Sequence, residues 1–428
     1  MPRFHTLEEW LAWQESLHPV AIELGLERVT RVARELDCLA PAPVVITVGG
    51  TNGKGSSLAM LEAILCRAGY RTGCYTSPHL LHYNERLRID EAVLEDADWC
   101  ESFARVDAAR GGISLTYFEF GTLAALDLMG RAGVDVALLE VGLGGRLDAV
   151  NIVDADLAMV TSVGLDHTEW LGDNRDAIGR EKAGIFRPGR PAICVDADPP
   201  DGLLQAAAAT GARLSVLGRD FHLRHDGPRW HWQGARAHWQ DLPRPALPGM
   251  HQLANAAGVL AALECLHQHL PVNEQAVVAG LKWARLPGRI ERLAGKVEQV
   301  LDVAHNAQAA EALADALRHW PVAGRTHAVI GMLADKDIAG FVRQLAPRVQ
   351  HWLAVDLPLP RAEPAAGLAR RLRAQTAGEV SVCASVAEAH SRLAGQAVAG
   401  DRILVCGSFY TVAGWKALPA ICETDKPD

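Results

Sequence analysis

The stretch Val44-Val45-Ile46-Thr47-Val48-Gly49-Gly50-Thr51-Asn52-Gly53-Lys54-Gly55-Ser56-Ser57 decides the fold. Its first five residues are apolar or β-branched without alternation, the pattern of a strand buried on both faces of a parallel sheet. Glycines then form a turn. Leu58, Leu61, Ile64 and Leu65 follow at helical spacing, predicting a helix from about Ser56 to Ala68 with Gly69 as its stop. Strand, glycine turn and helix open a βαβ unit. In that setting backbone N–H groups at the helix start can hold phosphate oxygens, and Lys54 can reach the outer phosphates. Two positions depart from the pattern G-x-x-x-x-G-K-[ST]: Val48 stands at the first glycine and Gly55 at the hydroxyl residue. Ser56, one place later, is the nearest hydroxyl that could meet a metal.

The alternation continues outward. Strands are expected near 72–76, 134–141, 157–163 and 191–195, with helices around 98–109, 118–129 and 174–183. An opening helical stretch covers Leu7 to about Leu39. From about Leu214 to Trp239 short segments rich in Trp and His predict a small β meander, in which Trp230, Trp232 and Trp239 serve packing. A helix carrying His251 to Asn255 follows. Leu286-Pro287-Gly288-Arg289-Ile290-Glu291 reads as a hinge, and a second series has strands near 297–303, 327–332, 352–356, 380–384 and 403–406. The fold class is therefore α/β in two domains. Residues 1–287 form a P-loop NTPase-like doubly wound sheet with the meander, and residues 288–428 a Rossmann-like domain.

With 428 residues, 49% hydrophobic, the chain can bury more than one ordinary core. A net charge of −9 argues against nucleic acid as a main partner. The nine cysteines (Cys38, Cys66, Cys74, Cys100, Cys194, Cys265, Cys383, Cys406, Cys422) form no C-x-x-C pair and are odd in number, which fits a reducing cytoplasm. Residues 1–10 carry acids where a secretory signal needs an apolar stretch, and no apolar run reaches membrane-spanning length. A soluble protein without membrane partner is expected.

Ligands of an open parallel sheet collect at the carboxyl ends of its strands. Beyond the phosphate loop, Ser77 stands at the end of the second strand, Glu140 at the end of the third and His167 past the fourth. Singly, Ser77 fits a turn before Pro78, Glu140 a satisfied buried acid and His167 a core or surface histidine. Their joint occurrence at one edge points to a metal–triphosphate site, with oxygen donors and one imidazole. Lys182, one helix after His167, reads on its own as a surface lysine paired with a nearby acid.

These strings resemble the dihydrofolate synthase/folylpolyglutamate synthase family within the Mur ligase superfamily. The resemblance runs through Leu24-Gly25-Leu26-Glu27-Arg28-Val29, Gly50 to Ser56, Thr76-Ser77-Pro78-His79-Leu80, Glu140 to Ala149, Asp166-His167-Thr168 and Glu181-Lys182-Ala183-Gly184-Ile185. It continues through Leu286-Pro287-Gly288-Arg289, Asp302-Val303-Ala304-His305-Asn306 and Gly407-Ser408-Phe409-Tyr410, so it covers almost the whole chain. Gly55 is the form this family uses. The resemblance implies ATP-dependent joining of L-glutamate to dihydropteroate and to reduced folates through an acyl phosphate.

It further implies that Gly53, Lys54, Gly55, Ser56, Asn255, Arg289 and Asp302 contact ATP, with the nucleotide between domains. Ser77, Glu140, His167 and a carbamylated Lys182 would hold Mg2+, with two ions expected. Lys54, Lys182 and His305 would serve the chemistry, His305 having the alternative of a helix-capping surface residue. A pterin pocket is suggested at Thr116-Tyr117-Phe118-Glu119 and Leu147-Asp148-Ala149, although Phe118 and Phe120 could equally be helix core. A monomer is expected.

Three other readings remain beside the bifunctional one. A monofunctional folylpolyglutamate synthase would share the frame. A Mur-type cell-wall ligase would need an N-terminal domain that the about 43 residues before the first strand are too few to form, and would carry Thr at Gly55. A non-catalytic nucleotide switch would bind ATP without releasing phosphate to glutamate.

Overall fold

The computed structural model describes residues 3–295, 297–419 and 421, so Cys422 lies outside the described residues. The chain divides into two compact units, one of Met1–Ala246 with Gln252–Arg285 and one of Leu247–His251 with Leu286–Asp428. Each has its own parallel sheet flanked by helices, the doubly wound α/β architecture expected of this alternation.

In the first unit the apolar run forms β1 (Val44–Gly49), buried at every residue. The sheet also contains β2 (Thr72–Tyr75), β3 (Leu87–Ile89), β4 (Ala92–Val93), β5 (Val136–Glu140), β6 (Leu157–Val160), β7 (Pro191–Cys194) and β8 (Arg213–Val216). Their order is β4-β3-β2-β5-β1-β6-β7-β8, with β2, β5, β1, β6, β7 and β8 mutually parallel and β3 and β4 an antiparallel extension. The chain leaves β1 toward β2 and later passes β1 on the other side to reach β6. The loops after β1 and β6 therefore diverge at the strand ends, the topological switch where such sheets bind ligands.

The glycine turn leads into the helix Lys54–Arg67, two residues earlier than the apolar spacing alone predicts. The opening helical stretch is two helices, Leu7–Leu17 and Glu27–Leu36, because Pro19 and Gly25 fall between them. The meander is a three-stranded antiparallel sheet of β9 (His222–Asp226), β10 (Arg229–Gln233) and β11 (His238–Pro243). The residues before it, Arg213–Val216, pair with β7 instead. Trp230 and Trp232 are buried there, their indole N–H groups donating to Pro243 O (2.8 Å) and Ala257 O (3.1 Å).

The second unit holds β12 (Glu291–Leu293), β13 (Glu298–Leu301), β14 (Thr326–Ile330), β15 (His351–Val355), β16 (Glu379–Cys383) and β17 (Arg402–Cys406). Their order is β12-β13-β17-β14-β15-β16, parallel except for the edge strand β12, which begins where the Pro-Gly hinge segment ends. Among the described residues no helix is long and apolar enough to cross a membrane.

Candidate active site

The first unit builds its site at the carboxyl ends of β1, β2, β5 and β6. Loop 50–53 is fastened to the chain leaving β6. Thr51 N donates to Ser162 O (2.7 Å), and the Thr161 and Ser162 hydroxyls donate to Asn52 O (2.7 and 3.1 Å). Thr51 Oγ1 and Gly164 exchange bonds of 3.1 and 2.9 Å. Gly50, at φ 139°, lies so close to β6 that a Cβ would fall 1.9 Å from Thr161 Oγ1. Gly53, at φ 92°, leaves room for Asn255, whose Oδ1 would be 2.7 Å from an added Cβ. The sequence reading missed Thr161 and Ser162, since a Thr-Ser pair after a strand carries no distinctive spacing. Lys54 begins the helix, and its ammonium donates to Gly50 O (3.0 Å) and Thr51 O (3.2 Å). Ser56 is buried and its Oγ accepts from Gln252 Nε2 (3.2 Å), while Gln252 Oε1 accepts from Asn255 Nδ2 (2.9 Å).

Glu140 ends β5 opposite Val48 of β1, and its Oε2 accepts from Ser77 N (3.1 Å). Ser77, followed by a cis peptide to Pro78, is thereby joined to Glu140. His167 sits exposed at φ 51° after β6, its N–H donating to Asp166 Oδ1 (2.9 Å). Lys182 is buried, only 4% exposed, which overturns the surface reading. Burial, and then the Lys54 charge, lower its amine to about 7, against opposing pulls from Asp166 and Asp148. Lys54, Lys182, Asp148 and Asp166 are thus electrostatic neighbours. Among the described residues no group of three or more His, Cys, Asp or Glu is arranged to hold a metal. The expected set takes only Glu140 and His167 from those types, and Mg2+ commonly completes its shell with phosphate and water oxygens.

Several expected substrate contacts have other engagements. Asp148 accepts from Gly142 N (3.0 Å), Leu143 N (2.8 Å) and Val150 N (3.0 Å), and burial raises its carboxyl to about 6 despite those bonds. Thr116 and Glu119 form a capping box on the helix Tyr117–Ala132, and Glu119 also pairs with Arg28 (3.0 Å). Phe120 is core, Ala149 is buried, Leu147 and Tyr117 are half-buried, and the half-buried Phe118 lies against Gly142 beside the end of β5. Arg86, a residue sequence reasoning passed over, is buried with its guanidinium over the rings of Tyr83 (5.1 Å) and Tyr117 (5.5 Å). Its Nε donates to His79 Nδ1 (3.0 Å), and no carboxylate among the described residues lies within ion-pair distance.

In the second unit Arg289, Asp302 and His305 gather at the carboxyl ends of β13 and β17. Asp302 is buried, and its two oxygens accept from Ile290 N and Ala304 N (both 2.7 Å). Burial raises its carboxyl above the usual range while the Arg289 charge opposes the rise. His305 Nδ1 lies 2.9 Å from Val303 O, and Asn306, not His305, caps the following helix through Ala309 N (2.9 Å).

The chain matches the Mur ligase middle domain over residues 48–263 and the Mur ligase glutamate ligase domain over 288–409. It is 47% identical to the dihydrofolate synthase/folylpolyglutamate synthase of Escherichia coli (strain K12), across 95% of this chain and 94% of that one. The chain belongs to the dihydrofolate synthase/folylpolyglutamate synthase family. Among solved structures it is similar to Escherichia coli FolC in complex with DHPP and ADP, with TM-score 0.91, 46% identity and 96% of each chain covered. It is also similar to the bifunctional enzyme of Yersinia pestis complexed with AMPPNP and a Mn ion, with TM-score 0.90, 46% identity, and 97% and 98% of the two chains covered.

Proposed function

We propose that this chain joins L-glutamate to the carboxylate of dihydropteroate and to the glutamate tail of reduced folates, consuming ATP. The observation that carries the reading is the loop 50–53, clamped to the end of β6 at the head of the Lys54–Arg67 helix, beside the Ser77–Glu140 pair. Such a loop presents N–H groups and a lysine to a triphosphate. The acceptor carboxylate attacks the γ-phosphorus and ADP leaves, giving an acyl phosphate, and the glutamate amine then displaces phosphate, losing a proton, to form the amide. Catalysis of this kind rests on alignment and charge neutralisation.

Lys54 neutralises charge on the transferred phosphoryl group, and His305 serves the same chemistry. Gly53, Gly55, Ser56, Asn255, Arg289 and Asp302 hold the nucleotide. Ser77, Glu140, His167 and Lys182 would hold Mg2+, which when bound would screen the phosphate oxygens. A Lys182 amine lowered to about 7 is neutral often enough at physiological pH to take up CO2, giving the oxygen donor that the metal set needs. Tyr117 and Phe118 offer aromatic surface to a flat pterin, and the buried Arg86 is a counter-ion suited to the acceptor's carboxylate. On this reading residues 1–287 bind ATP and 288–428 supply the glutamate-ligase half, in a cytoplasmic monomer.

The test is product analysis with purified protein, ATP, Mg2+ and glutamate, offering dihydropteroate or a reduced folate. Glutamate-dependent phosphate release and an extended product are expected with each. Product from reduced folate alone would leave a monofunctional synthase, and nucleotide binding without glutamate-dependent release would leave a switch.

A further inference from the structure

One uncharged ring neighbours both Arg289 and His305. Phe409 is the first residue of the helix Phe409–Lys416, reached from β17 through Gly407 and Ser408. The Arg289 guanidinium carbon lies 5.0 Å from the Phe409 ring centroid, and the His305 ring lies 6.5 Å away at 44°. The backbone that carries the ring is held by hydrogen bonds. Asp302 N donates to Val405 O (2.9 Å), and Gly407, at φ 102°, donates its N–H to Ala304 O (2.9 Å). The segment carrying Asp302 and His305 is therefore bonded twice to the segment carrying Phe409. Beyond it, Ser408 Oγ accepts from Thr411 N (3.1 Å) and Thr411 Oγ1 donates to Gly331 O (2.8 Å), anchoring the helix start to the exit of β14.

A half-buried phenyl ring at a nucleotide site has no donor for phosphate. It does offer a negative face to a guanidinium. An arginine has many rotamers, and one already held over a ring loses less freedom when it meets an anion. We infer that Phe409 is a positioning residue: its ring holds the Arg289 guanidinium ready for the nucleotide's phosphates and bounds the space open to the His305 imidazole. This rests on the reading that Arg289 contacts ATP.

The experiment is a double-mutant cycle read as KM for ATP and kcat. Phe409→Leu keeps apolar bulk and removes the aromatic face, and is expected to raise KM for ATP roughly three- to tenfold with a smaller change in kcat. Phe409→Tyr restores the wild-type KM. In an Arg289→Ala background, Phe409→Leu adds no further rise, because the ring has nothing left to hold. An unchanged KM in Phe409→Leu, or the same rise with and without Arg289, overturns the inference. A wild-type KM in Arg289→Ala alone instead sinks the assignment of Arg289 to ATP. Should the leucine variant fail to fold by circular dichroism, Phe409→Met, flexible and also apolar, serves the same cycle.

Discussion

Lys182 shows how far a residue's chemistry departs from what its sequence neighbours suggest. Between Glu181 and Ala183 it reads as a solvated lysine, yet the helix Arg175–Ala183 turns it inward while Glu181 pairs outward with Arg146 (2.9 Å). Its amine falls from the ordinary 10.5 to about 7, first by burial and then by the Lys54 charge. Between about 7 and 10.5 the unfolded chain binds more protons here than the folded one. Stability therefore rises with pH through that window, and the full penalty stands below it. Lys182→Met, in metal- and CO2-free buffer, should gain roughly 2–4 kcal/mol at pH 6, shrinking toward zero near pH 10.5, by urea unfolding. A gain that does not vary with pH would show that the folded amine titrates normally. Lys54 is the companion case, legible from its place after the glycines. Its replacement by Ala should lower turnover by roughly 10²-fold or more, as removal of a preorganised charge-stabilising group does, measured as glutamate-dependent ADP release. A near-wild-type rate would remove Lys54 from the mechanism.

Among the elements, the phosphate loop is the one whose backbone leaves least latitude. Gly50 and Gly69 both have positive φ, but an added Cβ at Gly50 meets Thr161 Oγ1 and N, whereas at Gly69 nothing lies within 4 Å. Gly69→Ala should cost only the conformational strain, about 1 kcal/mol. Gly50→Ala should cost more and also weaken nucleotide binding, because Thr161 must release Asn52 O to make room. Thermal midpoints and ADP titrations of both variants check this, and equal losses would mean the clamp to β6 is not needed. The buried parallel strands were legible because continuous apolar runs need no partner to be recognised. β3 and β4 were not, since Leu87–Ile89 and Ala92–Val93 are too short to show a period and owe their strand form to pairing, β3 with β2 and β4 with β3. Likewise Arg213–Val216 alternates like meander, and only pairing to β7 makes it part of the main sheet. The same limit applied to the site. Residue types at strand ends were readable, while the engagement of Asp148 by three backbone N–H groups and the burial of Arg86 between tyrosines arise from long-range packing.

At the scale of the whole molecule, each unit closes its own core. In the second, Val300, Ala328, Ile330, Trp352, Ala354 and Leu404 of the sheet meet Leu313, Phe341, Leu345 and Leu368 of its helices, all buried. The segment Leu286–Asp428 has about 140 residues, a common size for a domain that folds alone. A fragment starting at Leu286 should therefore unfold in one cooperative thermal transition followed by circular dichroism. It lacks Leu247–His251, which belongs to this unit and whose Gly249 backbone comes close to Ile290 (3.3 Å from an added Cβ to Cδ1). That loss should lower the midpoint without abolishing cooperativity, since the six-stranded sheet keeps every ladder bond. The fragment carries Arg289, Asp302 and His305 but no phosphate loop, so it should release no phosphate from ATP at any glutamate concentration. A coil-like spectrum would show that the second core depends on the first unit, and phosphate release by the fragment would move the nucleotide chemistry away from Lys54 altogether.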